Sequence, residues 1–297
     1  MPDPIRVAIL GLDTSHSVEF PRRMQAPDCP EAQRVPGLRA TACLRFPSPF
    51  QAEPDQDQRQ AKLKAWGVRL ATDLDDLLSE ADAVMIEIND PTLHLPWFER
   101  IAGCGKPVFI DKPLADTAIA GARILHLAAE HGTVAASASP LRSDAALAAA
   151  CAAIPKPLCT SVYGPLGRAP AGSSIVWYGV HAVEMLHHAM GPGAIAVTTR
   201  RDGNGATLIV DYGDRRRGTV ELSEGAYLYG GCLRDSKTAQ AFAVDCDNIY
   251  PALLREVERF FRGGAAPATL ADAYEVIAIL DAAERSLSSA RTEPVYR

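Results

Sequence analysis

The chain has no long apolar run. Its longest, Ala145 to Ile154, is about half of the ~20 residues that a membrane-crossing helix needs, so no membrane partner is expected. Positive charge is in short supply: Lys plus Arg number 30 against 36 Asp plus Glu, a net charge of −6 over 297 residues. With no basic block, binding to a phosphate backbone is disfavoured and no nucleic-acid partner is expected. The seven cysteines are odd in number and include no C-x-x-C pair, which argues against a disulfide framework or zinc ribbon. Reduced thiols in a cytoplasmic setting are the expectation. The opening Met1-Pro2-Asp3-Pro4 has no basic segment and Val7 to Leu10 is short, so no secretory leader is expected. What remains is an ordinary globular composition, 47% apolar and 22% charged, at a length that suits two domains.

The first part alternates strand-like and helix-like signals. Apolar runs at Ile5 to Leu10, Leu38 to Leu44, Ala83 to Ile88, Pro107 to Ile110 and Val134 to Ser139 read as buried strands. Between them, Gln60 to Trp66, the stretch opened by Thr72-Asp73-Leu74-Asp75, Thr92 to Ala102 and Thr117 to His131 read as helices. The polar Pro47 to Arg59 reads as a surface loop, and Ile119, Ile124 and Leu127 as a buried stripe. This alternation predicts a doubly wound parallel sheet over residues 1–139. Residues 140–297 change character. A Gly/Pro/Ser-rich loop at Gly164 to Ser174 precedes a helix from Tyr178 to Met190. Extended runs follow at Ala194 to Arg200, Ala206 to Asp211, Gly218 to Leu222 and Ala226 to Tyr229, then helices at Pro251 to Phe261 and Ala271 to Ser288. That predicts an α/β domain with an open, mostly antiparallel sheet, suited to substrate binding and oligomerisation.

Candidate chemistry gathers where the first strands end, since open parallel sheets bind ligands beyond their carboxyl ends. The turn after the first strand reads Gly11-Leu12-Asp13-Thr14-Ser15-His16 and keeps only the first glycine of a G-x-G-x-x-G fingerprint. The helix N-terminus and the Thr14 and Ser15 hydroxyls suit an anion. Asp13 either opposes a phosphate there or caps the helix. Arg45 ends the second strand, where a cation can meet a 2′-phosphate; Asn89 and His94 follow the strand through Glu87; Asp111 and Lys112 end the next. Lys112 before Pro113 is held extended and can aim its ammonium at an oxygen undergoing oxidation. In the second part, His181 stands near a helix start, where the positive dipole end keeps an imidazole unprotonated and usable as a base. Glu184 lies one turn on. His181, Glu184 and His188 match no metal-binding spacing, so no metal is expected.

These residues carry a resemblance. Ala81 to Thr117 is similar to the Gfo/Idh/MocA oxidoreductase family, which reads a strand, a T-P-x-x-x-H turn, a helix, A-G-K-x-V, a strand and E-K-P-x-A. Asn89-Asp90-Pro91 with His94 stands for the turn, Gly105-Lys106-Pro107-Val108 for A-G-K, and Asp111-Lys112-Pro113-Leu114-Ala115 for E-K-P. Gly179-Val180-His181 with Glu184 resembles the family's D-x-G-x-H-x-x-D helix, and the two closing helices resemble the family's tail. Two departures stand out: Trp177 takes the place of the family's catalytic Asp, and the glycine fingerprint is replaced. Both match a branch with L-D-T-S-H after the first strand and W-Y-G-x-H in the second domain.

The resemblance implies a Rossmann domain plus an α/β domain, and NAD or NADP as cofactor. It also implies oxidation or reduction of a sugar, cyclitol or related hydroxyl or keto compound, in a homodimer or homotetramer. Lys112 and His181 would be catalytic. Gly11, Asp13, Thr14, Ser15, His16, Arg45, Asn89, His94, Asp111 and Lys112 would meet the cofactor; Trp177, Tyr178, His181 and Glu184 the substrate. Two alternatives are a redox-neutral lyase or epimerase that retains NAD, and a non-catalytic sensor or interaction protein on a dehydrogenase fold.

Overall fold

A computed structural model describes residues 3–296, so the Met1-Pro2 opening read above for a leader lies outside the described residues. The first sheet is built from β1 (Ile5–Leu10), β2 (Leu38–Leu44), β3 (Arg69–Leu70), β4 (Ala83–Ile86), β5 (Val108–Ile110) and β6 (Ala135–Ser137). All pairs are parallel, in the order β3-β2-β1-β4-β5-β6. This is the doubly wound order, whose switch point lies between β1 and β4. The crossovers are carried by α1 (His16–Gln25), α2 (Glu53–Ala65), α3 (Leu74–Leu78), α4 (His94–Ile101) and α5 (Ala118–His131). Both faces of the sheet are covered, which is why Val7 to Leu10 of β1 and the whole of β4 read as unbroken apolar runs.

The second half begins with α6 (Ala145–Ala153), β7 (Cys159–Pro165), α7 (Ser174–Trp177) and α8 (Val180–Met190). Then follow β8 (Ala194–Asp202), β9 (Gly205–Tyr212), β10 (Arg217–Ser223), β11 (Gly230–Arg234), β12 (Ala239–Ala243), α9 (Ile249–Phe261), α10 (Leu270–Ser289) and β13 (Glu293–Pro294). The seven strands form one mostly antiparallel sheet, in which β7 and β10 run parallel. The division at residues 139 and 140 separates the two sheets, and we propose it as the domain boundary. Helices α9 and α10 both pack across it, α10 against α5 and β6. Leu253, Leu254, Val257 and Phe260 of α9 pack in the same core as Val7, Ile9, Met85 and Phe109 of the first sheet.

Several local expectations change. α2 starts at Glu53, seven residues before the expected helix, because Pro54 sits in a first turn that tolerates it. The polar run that suggested a loop is its solvated face: only Gln56 and Leu63 are buried. α3 is capped by Asp73, which accepts from the Asp76 N–H at 2.8 Å, while the Asp76 carboxylate takes the Thr72 N–H at 2.8 Å. Ile119 is 85% exposed and leaves the stripe to Ile124 and Leu127. Ala226 to Tyr229 forms no ladder; β11 begins just after it, with Gly230 and Gly231 weakening the apolar signal. Among the described residues, no helix is long and apolar enough to cross a membrane.

The turn after β1 depends on Gly11. Its φ is +106°, and a Cβ there would lie 2.3 Å from the Glu87 carbonyl oxygen. Gly67 also has a positive φ, +83°, but open space around it. Gly67→Ala should therefore lose only the roughly 1–2 kcal/mol of left-handed backbone, whereas Gly11→Ala should lose clearly more. Urea unfolding of the two variants, compared with the parent, measures the difference; equal losses would mean that the approach of β1 to β4 is not tight.

Candidate active site

The Gly11–His16 turn is held from below. The Asp13 carboxylate, 1% exposed, accepts from Ser48 Oγ at 2.5 Å and from the Asn89 N–H at 2.8 Å. It neither opposes a phosphate nor caps α1; it ties the turn to the loop before α2 and to the end of β4. Burial pushes its carboxyl up, and the bonds from Ser48 and Asn89 oppose that shift. Arg59 of α2 donates to the carbonyls of Leu12 at 3.0 Å and Thr14 at 2.7 Å. With the carboxylate turned inward, Thr14, Ser15 and His16 form part of a cleft wall.

The ends of β4 and β5 supply the floor. His16 Nδ1 lies 2.9 Å from Asp111 Oδ1, and its ring stacks on Phe20 at 4.8 Å. Thr14 Oγ1 donates to Asp111 Oδ2 at 3.4 Å. Burial opposes ionisation of Asp111, yet His16 and Lys112 hold its carboxyl down at about 2. Glu87 is fully buried, and neither carboxylate oxygen has a hydrogen-bond partner. Burial and the neighbouring Asp111 charge push its carboxyl well up. Lys112 is 6% exposed and lines the cleft. The peptide between Lys112 and Pro113 is cis.

His181 faces this floor from α8. Its Nδ1 is 2.7 Å from Ser139 Oγ, which also accepts from the Leu141 N–H at 3.2 Å. Burial, with the positive charge of Lys112 adding, pushes its pKa well below the usual value, so the ring is neutral near pH 7. Glu184 does not touch His181. It accepts from the Ser139 N–H at 3.3 Å and pairs with Arg142 at 3.4 Å, so it acts on the imidazole through Ser139. Burial pushes the Glu184 carboxyl up against the pull of Arg142. Trp177, standing where the resembling family has its Asp, donates Nε1–H to Asn89 Oδ1 at 2.7 Å and thereby joins the two halves. Tyr178 packs edge-on against His181, and Tyr229 meets the same ring edge-on at 5.8 Å.

The cleft has a volume of about 330 Å³. It brings together Thr14, Ser15, His16, Asn89, Lys112, Trp177, Tyr178 and His181, all anticipated from sequence. Others are placed elsewhere. Both ring nitrogens of the fully buried His94 face backbone carbonyls, Nδ1 that of Pro113 at 2.8 Å and Nε2 that of Ile88 at 2.8 Å, so His94 holds loops together rather than meeting a cofactor. Arg45 is committed to Asp57 at 2.6 Å and Gln60 at 2.8 Å, not to an open 2′-phosphate position. Asp13, Asp111 and Glu184 act from behind the surface. Sequence reasoning missed Ser139, Arg142 and Tyr250. Tyr250 lines the cleft with Ser15 and meets the His16 ring edge-on at 5.2 Å, and burial pushes its phenol up to about 12. Its only sequence signal was an aromatic residue at the start of a helix. A larger cavity, about 420 Å³, lies between α2 and the β2–β3 edge, but its lining (Leu12, Cys43, Leu63, Val68) carries less chemistry.

A dinucleotide laid across the turn fits these residues at its nicotinamide end. The turn's carboxylate points away, two hydroxyls and Asn89 line the wall, and Lys112 supplies a cation.

Comparison with known proteins agrees. Residues 51–139 match the Gfo/Idh/MocA model, described as an oxidoreductase family with an NAD-binding Rossmann fold. A dTDP-3,4-didehydro-2,6-dideoxy-alpha-D-glucose 3-reductase of Streptomyces violaceoruber is 36% identical over 84 residues, 28% of this chain and 25% of that enzyme. This chain therefore aligns with a quarter of that relative's length. Among solved structures, myo-inositol 2-dehydrogenase from Lactobacillus plantarum has a TM-score of 0.80 at 15% identity, covering 99% of this chain and 100% of its own. GenD2 from gentamicin A biosynthesis, solved in complex with NAD, also reaches 0.80, at 17% identity, covering 100% of this chain and 98% of its own. At such identities these structures show a shared fold.

Behind the cleft, burial lowers the His188 pKa to about 4, with Arg142 and His187 adding to the shift. An unfolded histidine takes its proton near pH 6.5. Between about 6.5 and about 4 the unfolded chain thus binds more protons, and stability falls as pH falls through that window. His188→Gln should flatten the fall by up to roughly 3 kcal/mol, read from urea midpoints at pH 7 and pH 4.5.

Proposed function

We propose, on the premise that this chain carries the NAD-binding domain of the Gfo/Idh/MocA oxidoreductase family, that it oxidises or reduces a carbohydrate-like hydroxyl or keto group. A small sugar or cyclitol is the substrate class we favour. The carrying observation is that a buried lysine and a neutral histidine, from different halves of the chain, line one cleft.

The Gly11–His16 turn, Asn89 and Lys112 would hold NAD or NADP, which when bound supplies the hydride-exchanging carbon. Lys112 would donate a hydrogen bond to the reacting oxygen and stabilise negative charge developing there. His181 would take the proton of a hydroxyl at Nε2 while Nδ1–H donates to Ser139 Oγ. The Ser139 oxygen has two lone pairs, so it can accept from both His181 and Leu141. In the opposite direction the imidazolium returns its Nε2 proton to the substrate oxygen and reverts to the same neutral tautomer, with Nδ1–H still donating to Ser139 Oγ. A carboxylate would favour the protonated ring, and this site holds Ser139 in that place. Tyr178 and Trp177 offer apolar faces to a sugar ring. A neighbouring hollow of about 530 Å³ shares Trp177, Tyr178 and Tyr227 and gives room for an attached group. The exposed Tyr163 and Ile195 support a homo-oligomer through the outer face of the second sheet. The free cysteines support a cytoplasmic location.

NADH and NADPH fluorescence titration, followed by turnover on hexoses and cyclitols, tests the reading. Lys112→Met and His181→Ala should each lower kcat by about 100-fold or more, with nucleotide affinity little changed in His181→Ala, which leaves the cofactor contacts in place. Failure to bind either nucleotide, or a fully active His181→Ala variant, would overturn it. Ser139→Ala should lower kcat by roughly tenfold at unchanged KM, because it touches the imidazole and not the substrate.

A further inference from the structure

We infer that His16, Glu87 and Asp111 form a binding site for a divalent metal ion at the floor of the cleft. The three residues come from separate segments, namely the turn after β1 and the residues following β4 and β5. Their ligating atoms nevertheless lie within 4.8 Å of one another, and all three side chains are buried. His16 Nδ1 is 2.9 Å from Asp111 Oδ1 and 4.0 Å from Glu87 Oε2, so one ion at ordinary bond lengths reaches all three with small adjustments.

The independent indication is Glu87. Its carboxylate is completely shielded from solvent, yet neither oxygen has a hydrogen-bond partner. A carboxyl in that position is costly in either protonation state: ionised, it is a buried charge; protonated, it is an unpaired O–H. Asp111 has the His16 ring 2.9 Å away, while neither oxygen of Glu87 is matched by any hydrogen-bond donor. A divalent cation would supply the partner that Glu87 lacks. One imidazole nitrogen with two carboxylates favours zinc or manganese over calcium or magnesium, whose ligand shells are normally all oxygen. His16 and Lys112 line the cleft, so the ion would sit beside its floor and fasten the turn to two strand ends.

The proposal does not rest on the oxidoreductase reading, because its readout is metal content. The full-length protein, stripped with a chelator and dialysed, would be titrated with Zn²⁺ and Mn²⁺ and analysed by elemental mass spectrometry and thermal melting. The expected result is about one ion per chain and a raised melting temperature. Glu87→Gln and His16→Gln should each weaken binding by at least the ~10–100-fold that loss of a supporting contact costs. His126→Gln, which removes a surface imidazole, should not weaken it. If a variant fails to fold, Co²⁺ added to the parent protein decides: strong visible absorption supports the site, and the weak bands of the hydrated ion count against it. No uptake of any of these ions at millimolar concentration would overturn the proposal. So would binding that persists undiminished in both Glu87→Gln and His16→Gln.

Discussion

One buried carboxylate fixes the architecture of the cleft. Asp13 accepts from the Ser48 hydroxyl and the Asn89 amide, and so clamps the first turn between the loop before α2 and the end of β4. Asn89, positioned by that clamp, receives the indole N–H of Trp177 from the other half of the chain. Two hydrogen bonds in series therefore tie the first turn to the other half at the cleft. Arg59 completes the arrangement by taking two carbonyls of the same turn. A turn lacking two of three fingerprint glycines can still present its hydroxyls, because side-chain bonds supply the order that glycine geometry supplies elsewhere.

Charge is arranged in layers around the cleft. Lys112 is the cation at its surface; Asp111 and Glu87 lie beneath, and the neutral His181 stands opposite. The positive charge of Lys112 helps to keep His181 unprotonated, so the lysine both serves as a donor and maintains the base. Glu184 and Arg142 repeat the pattern one layer out, where the carboxylate supports Ser139 instead of the imidazole directly.

Much of the fold was legible in the sequence because Val7 to Leu10 of β1 and all of β4 are buried on both faces and read as apolar runs, and β2 is apolar apart from Arg39 and Thr41. β11 and β12 were not, since Gly230 and Gly231 and an exposed Ala-Gln-Ala pattern carry little apolar signal. In the site, Lys112 and His181 stood out by their place at a strand end and a helix start. Ser139 and Tyr250 did not, because their importance comes from contacts across 42 and roughly 230 residues of chain. Asp13 was visible and its direction was not: a carboxylate in a turn serves outward or inward, and only the position of Ser48 decides. His94 and Arg45 failed as cofactor contacts for the same reason, their partners being fixed by packing.

Helix α9 has a bearing on how the polypeptide reaches this state. During synthesis, the first sheet emerges with one apolar face, including Ile9, Met85 and Phe109, lacking the cover that Leu253, Val257 and Phe260 provide more than a hundred residues later. The nascent first half must wait for that cover with part of its core open to water and to other chains. Nucleation can begin early in β1, β2 and β4, but closure is a late event on the ribosome. A fragment ending at the sheet boundary would lack that cover entirely, so the amino-terminal half is a unit of architecture without being a unit of folding.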